Sequence, residues 1–279
     1  MQAWTALAIG VLLLGGCLGG DPVETSGPVT ADPSPTPPAP VVLACQNGLL
    51  FQFVDYAETD PYLPPGFHIR DPQGFLTISP VAFGQAGVLL ITLRCEGAAG
   101  PYNMAGVDIF VEAPSVPGVD AATFDFYEVE RYSSAWDFND TLAPALWPRI
   151  PGHVNFTMLE NAEGARAGFA NVTDDKGHMA SFTGTMDANV GLGPSVVRFW
   201  RDGPGGLAYV EYQADLQPLA GPGICSIRPG TTLADLTIPD ELHPLLPYTA
   251  CPPGEPVVAT FPHLVVNATA RFLPGVRAQ

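Results

Sequence analysis

The residue best placed for covalent chemistry lies near the start of the chain, where Leu12 to Gly20 reads LLLGGCLGG. A thiol closing an apolar run is an acceptor for lipid transfer, and the small residues of Leu14-Gly15-Gly16-Cys17 suit an extended substrate in a peptidase cleft. The uncharged stretch from Trp4 to Gly16 has 13 residues. A helix needs roughly 20 to cross the hydrocarbon core. Residues 1–16 therefore read as a lipoprotein signal, with Cys17 the lipid-bearing first residue of the mature chain. The leading MQAW has no Lys or Arg, so the α-amino group alone supplies the positive charge usual there.

Four more cysteines follow: Cys45, Cys95, Cys225 and Cys251. In an exported chain an even number reads as two disulfides, with three pairings open. Spacing favours Cys45 with Cys95 and Cys225 with Cys251. The absence of C-x-x-C argues against a zinc ribbon or a thioredoxin-type site.

A third chemical signal is the sequon. Four of the eight asparagines, Asn139, Asn155, Asn171 and Asn267, have Thr two residues on, where chance gives about one. An acid two residues earlier, the bacterial form, occurs only at Asn139, through Asp137. Plain sequons beside a lipobox point to an archaeal-type surface glycoprotein more than to a bacterial lipoprotein.

Composition fits this exterior address. Asp21 to Pro40 contains seven prolines and no aromatic or basic residue, too little apolar surface to offset the entropy of ordering. Residues 17–40 read as a lipid-anchored tether that spans up to about 60 Å as polyproline II. Residues 41–279 remain for a single β-rich extracytoplasmic domain with a substantial core. With 28 acidic and 11 basic residues the net charge is −17, which excludes nucleic acid as a partner. The expected membrane contact is through the lipid.

The elements that must carry these groups read as strands. In His153–Leu159 the apolar Val154, Phe156 and Met158 alternate with Asn155 and Thr157. In 266–272 Val266, Ala268, Ala270 and Phe272 oppose Asn267, Thr269 and Arg271. Similar runs fall at Gly48–Tyr56, Phe75–Phe83, Val88–Cys95, Val107–Glu112, Thr123–Arg131, Met179–Met186, Val196–Arg201 and Leu207–Asp215. Turn clusters such as Asp174–Gly177 and Gly203–Gly206 separate them. The fold class expected is mainly β, an antiparallel sandwich or a barrel or cone, with one or two short helices at Thr141–Leu146 and Pro239–Leu246.

Catalytic signatures are missing: no G-x-S-x-G, Walker loop, G-x-G-x-x-G or H-E-x-x-H. No cofactor and no metal are expected. His68, His153, His178, His243 and His263 are widely spaced. Asp120, Asp125, Glu128, Glu130, Asp137 and Asp140 lack calcium-loop spacing and read as a solvated acidic face. Tyr127, Tyr132, Trp136, Phe138 and Trp147 among them read as core rather than pocket.

Two stretches, Tyr62-Leu-Pro-Pro-Gly-Phe67 and Arg198-Phe-Trp-Arg-Asp-Gly-Pro-Gly-Gly-Leu-Ala-Tyr209, resemble acetoacetate decarboxylase-like proteins. The resemblance implies a β-cone around an apolar cavity. That family's decarboxylation runs through a Schiff-base lysine whose amine is desolvated and neutral. Lys176, the only lysine, sits between Asp175 and Gly177 in an expected hairpin turn, so the resemblance implies the cavity without the decarboxylation. Three functions follow as expectations: a tethered protein binding a small or apolar ligand without catalysis, a non-catalytic envelope or adhesion module, or an extracellular enzyme.

Overall fold

The computed structural model describes residues 41–54, 62–70, 87–97, 100–133, 150–189, 193–203, 206–216, 219–237, 257–261 and 266–275. Cys17, Asn139, Cys251, the tether, the run Phe75–Phe83 and both expected helices lie outside them. What is described is mainly β, as expected. The strands are β1 (Val41–Val54), β2 (His68–Ile69), β3 (Gly87–Gly97), β4 (Gly100–Glu112), β5 (Phe124–Ser133), β6 (Ile150–Pro151), β7 (His153–Glu160) and β8 (Arg166–Asp174). They continue with β9 (Gly177–Met186), β10 (Ala188–Asn189), β11 (Gly193–Gly203), β12 (Gly206–Leu216), β13 (Leu219–Ile227), β14 (Val257–Phe261) and β15 (Val266–Pro274).

The hydrogen-bonded order is β15-β12-β11-β5-β4-β3-β1-β14-β13-β9-β8-β7. Pairing is antiparallel except that β5 runs parallel to β11 and to β6, a departure from the all-antiparallel expectation. The link between β5 and β11 is long, so nothing forces a hairpin reversal there. β1 is shared along one edge: Val41–Cys45 pair with β15 and Gly48–Gln52 with β14. β13 is shared likewise, with Leu219–Pro222 on β14 and Gly223–Ile227 on β9. It thereby passes from the larger sheet into a second sheet of β7, β8, β9 and β13. Gly221 sits at that crossing, where a Cβ would collide with the Thr185 carbonyl oxygen.

β4 is buried on both faces. Ala105, Val107, Ile109 and Val111 join Val154, Ala170, Val172, Phe182 and Ile227 in a core between the sheets. That core also takes Leu233, Ala234 and Leu236 from α1 (Thr232–Thr237), a helix absent from the sequence expectation. Its start is legible afterwards: Thr231 caps it, its Oγ1 accepting from the Ala234 N–H at 3.3 Å. The other face of β4 meets an aromatic row, Phe124–Phe110–Phe126–Phe199–Tyr212, with successive ring centroids 5.2–6.2 Å apart.

The turns match their residues. Asp174 pairs with Gly177 and Gly203 with Gly206 at the ends of two hairpins, and Gly177 takes φ +101°, a conformation costly for any residue with a Cβ.

Cys45 and Cys95 face each other directly in the β1–β3 ladder. Opposed antiparallel residues lie about 4.5–5.5 Å apart at Cα, inside the range a disulfide spans. We expect non-reducing peptide mapping to recover a Cys45–Cys95 peptide, and Cys95→Ala to lower stability by about 3–4 kcal/mol for a loop of this size. Free thiols at both positions would refute it.

Candidate functional site

A bulge in β5 assembles the site. The β4–β5 register runs Gly106↔Arg131, Val107↔Glu130, Asp108↔Glu128, so Val129 is an extra residue on β5. In a regular strand residues three apart point to opposite faces. One inserted residue cancels that alternation, and Glu128 and Arg131 project to the same side as Asp108.

Those three side chains line a cavity of about 10 Å3 with Met104, Gly106, Phe199 and Tyr212, room for one water-sized group. Asp108, Glu128 and Arg131 are each no more than 2% exposed. Glu128 Oε2 accepts from Arg131 Nε at 2.9 Å and from Arg131 Nη2, while its Oε1 faces Arg201 Nη1 at 3.5 Å. Glu128 is thus held between two guanidinium groups. Asp108 is placed differently: neither of its carboxylate oxygens has a hydrogen-bond partner among the described residues. Its carboxyl folds back along β4 over Gly106, where a Cβ would sit 2.6 Å from Oδ2.

The electrostatics follow from this geometry. Burial pushes the Asp108 carboxyl well above the usual carboxylate range, and the Glu128 charge adds to the rise; Arg131 and Arg201 only partly offset it. Burial disfavours the Arg131 charge, but Glu128, Tyr212 and Asp108 more than compensate and hold its pKa up. The cavity therefore combines a carboxyl biased toward its neutral form, a fixed ion pair, a tyrosine hydroxyl and two apolar walls. Such a set can grip a polar group and exchange one proton with it. Among the described residues its lining holds no Ser, Cys, Lys or His nucleophile.

The two stretches that carry the family resemblance converge beside this site. Phe67 is buried against Tyr127 and Trp200, with ring centroids 5.1 and 6.0 Å away. Trp200 packs on Tyr209 at 4.8 Å, and the Arg198 guanidinium lies 5.2 Å from the Tyr209 ring centre. The Trp200 indole N–H donates to Asp125 Oδ1 at 2.7 Å.

The expected acidic face is overturned for three residues. Glu128 is buried in the ion pair, Asp125 is half-buried under Trp200, and Glu130 accepts from the Tyr132 hydroxyl at 2.6 Å and from Thr232. Glu128 shares the buried face of Phe124 and Phe126, both faces of β5 are covered at Asp125, and the bulge turns Glu130 to the side of Val107. Asp120 is exposed, and Asp137 and Asp140 lie outside the described residues. Tyr127 and Tyr132 pack on the core, as expected.

The sites read from the sequence fall elsewhere. Asn155 and Asn171 oppose each other across β7 and β8. Asn155 is exposed; Asn171 is half-buried, its Oδ1 3.0 Å from His178 Nδ1, whose ring also reaches Ser226 Oγ at 3.3 Å. Asn267 lies on β15 opposite Ala44 and Gln213. Cys225 is half-buried and disulfide-bonded. Lys176 is exposed at the β8–β9 turn, its backbone N–H donating to Asp174 Oδ1 at 2.9 Å. Asp108, Arg131, Arg201 and Tyr212 were missed by sequence reasoning. Asp108 was the findable one, a single acid inside the apolar run Val107–Val111.

No protein-family model matches the chain, and no curated protein matches it. Among solved structures it is similar to the enduracididine biosynthesis enzyme MppR with HEPES buffer bound, at 14% identity, covering 88% of this chain and 96% of that one, TM-score 0.49. It is similar to an acetoacetate decarboxylase-like enzyme from Sphingomonas wittichii RW1 at 11% identity, covering 83% and 92%, TM-score 0.48. It is also similar to acetoacetate decarboxylase from Legionella pneumophila at 13% identity, covering 86% and 94%, TM-score 0.44. The latter two bear the name of the family that the two stretches resemble.

Two predictions follow. Gly106→Ala should cost about 1–3 kcal/mol as the Asp108 carboxyl is forced aside, measured by urea denaturation; a neutral result would mean that carboxyl swings freely. Because the folded-state pKa of Asp108 is raised, its stabilising share is full below about pH 4 and is lost as pH climbs toward the folded value. Asp108→Asn cannot ionise, so the variant should gain on the native protein as pH rises above about 4. A pH-independent difference would show that Asp108 titrates as it does in water.

Proposed function

We propose that this chain is a lipid-anchored, N-glycosylated surface protein whose β-rich domain binds a small ligand without catalysis. The observation that carries the reading is the Asp108 cavity. A buried carboxyl with no hydrogen-bond partner among the described residues costs free energy unless a group in the cavity satisfies it. The cavity joins Asp108 and Tyr212 with Met104 and Phe199 in one lining, the few-polar-among-apolar make-up of a binding site at a size that admits one water-sized group of a ligand.

The non-catalytic part rests on Lys176. A Schiff-base lysine must be desolvated or set beside another cation. Lys176 is exposed and follows Asp174 and Asp175, whose charges favour the ammonium form. The anchor and the glycans rest on Cys17 and the four sequons. A second reading, an envelope contact module, is favoured by the exposed face of the second sheet, where Leu159, Phe169 and Ile224 are 67%, 47% and 70% exposed.

Treating the protein with a β-keto acid and borohydride should trap no adduct, and Lys176→Ala should leave fold and ligand binding unchanged. An adduct at Lys176, absent from the alanine variant, would make the protein a Schiff-base enzyme. Cys17→Ser should release the chain from the membrane fraction of an expressing archaeal or bacterial host; a variant that stays bound and uncleaved would show the apolar run itself to be the anchor.

A further inference from the structure

We propose that Ser226, His178 and Asn171 form a second site on the open face of the second sheet, a serine nucleophile with its base and its orienting amide, acting on esters of small apolar acids. The inference goes beyond the reading above, whose non-catalytic part concerns Schiff-base chemistry at Lys176, and it does not involve the Asp108 cavity.

A second bulge assembles the group. The β8–β9 register runs Val172↔Ala180 and then Thr173↔His178, so Met179 is an extra residue on β9. Met179 and Ala180 are both buried, and His178 is turned to the face of Ser181, where a regular strand would set residues three apart on opposite faces. On that face Asn171 of β8 and Ser226 of β13 stand directly opposite Ser181, one on each side. His178 bridges them, its Nδ1 3.0 Å from Asn171 Oδ1 and its Nε2 3.3 Å from Ser226 Oγ.

The amide oxygen fixes the tautomer. Asn171 Oδ1 only accepts, so Nδ1 carries the ring proton; Nε2 is then the acceptor, and the Ser226 hydroxyl donates to it. A hydroxyl donating to an imidazole whose other nitrogen is held by a third group is the arrangement that activates a serine. A glycan on Asn171 would attach through Nδ2 and leave Oδ1 in place.

The surroundings select the substrate. Thr183 lies between Phe169 and Ile224 in the next outward row of the ladders, about 7 Å along the strands from Asn171 and Ser226. Phe169 and Ile224 are 47% and 70% exposed, an apolar platform on which a short acyl chain can lie. The Ser181 hydroxyl, across from Ser226, is placed to donate to the carbonyl oxygen as it gains charge. Ser226 Oγ adds to the ester carbonyl carbon while its proton passes to His178 Nε2; the bond to the alcohol oxygen breaks, and the alcohol leaves with that proton. Water then adds to the acyl-serine by the same route, releasing the carboxylic acid and restoring the hydroxyl. Asn171 is a neutral orienting group and gives the imidazolium no opposite charge, so turnover should be slow.

The test is hydrolysis of p-nitrophenyl acetate and butyrate by the purified chain, with a fluorophosphonate as covalent probe and peptide mapping of the labelled residue. Ser226 should carry the label, and kcat/KM should be higher for the butyrate. Ser226→Ala and His178→Ala should each lower kcat about a hundredfold or more. Asn171→Ala should lower kcat about tenfold with KM unchanged, and Asn171→Asp should restore it; both remove the same sequon, so a lost glycan does not explain the difference. Labelling is read on the native protein, so the result stands even if a variant misfolds. A label on another residue, no label at all, hydrolysis unchanged in Ser226→Ala, or a butyrate kcat/KM no higher than that of the acetate overturns the proposal, and none of these outcomes bears on ligand binding at Asp108.

Discussion

The extra residue at Val129 organises the interior of this domain. An unbroken β5 would have placed Glu128 and Arg131 on opposite faces, one toward the aromatic row and the other into the core between the sheets. A lone charge in either layer would cost several kcal/mol. By inserting one residue, the strand turns both groups to the same side and lets them pair. The same shift leaves Tyr132 facing the inter-sheet core, where its hydroxyl reaches Glu130 and Glu130 in turn accepts from Thr232 of α1. One bulge therefore fixes the buried ion pair on one face and the docking of the helix on the other.

A buried ion pair is weak grounds for stability in itself, because desolvation offsets most of the attraction. Apolar residues of similar volume would fill the same space at less cost. What distinguishes the cluster is its imbalance: two guanidinium groups converge on Glu128, while Asp108, directly across the ladder, receives none of their hydrogen bonds. Gly106 makes the arrangement possible, since only a residue without a side chain leaves room for the Asp108 carboxyl to lie back over β4. The strand thus gives up packing volume to house a carboxyl, the opposite of what a purely structural layer requires.

The sequence disclosed the β architecture and its turns because those rest on local chemistry. Val154 and Asn155 reveal a half-buried strand by alternation, and Asp174–Gly177 reveals a hairpin by its glycine. It did not disclose β8 or β13. In β8 the inward residues Gly168, Ala170 and Val172 are small, so the apolar period is faint; β13 carries Gly221, Pro222 and Gly223, which read as breakers until the crossing between sheets explains them. The site was illegible for a different reason. Asp108 sits 20 residues from Glu128 and far from Arg201 and Tyr212 in the chain, and only strand register brings them together. Glu128 was assigned to solvent with the acids that gather around it in sequence, although alternation sets it on the face of Phe124 and Phe126; the bulge that brings Arg131 to it leaves no mark in composition.

The two stretches that resemble acetoacetate decarboxylase-like proteins pack together in the interior. Phe67, Tyr127, Trp200 and Tyr209 form one packed aromatic group on the core side of β5 and β11, and Asp125 and Arg198 anchor its edges. These residues hold the wall behind the cavity, while the residues that line it come from β4, the bulged half of β5, and one position each on β11 and β12. Scaffold and lining are thus specified by different side chains on the same strands, alternating with the pleat. A chain can keep the first set and change the second, since substitutions on one face leave the other face's packing intact. That separation lets a wall built by Phe67 and Trp200 stand behind a site whose charge is set by Asp108, Glu128 and Arg131, with the single lysine left in solvent at Lys176.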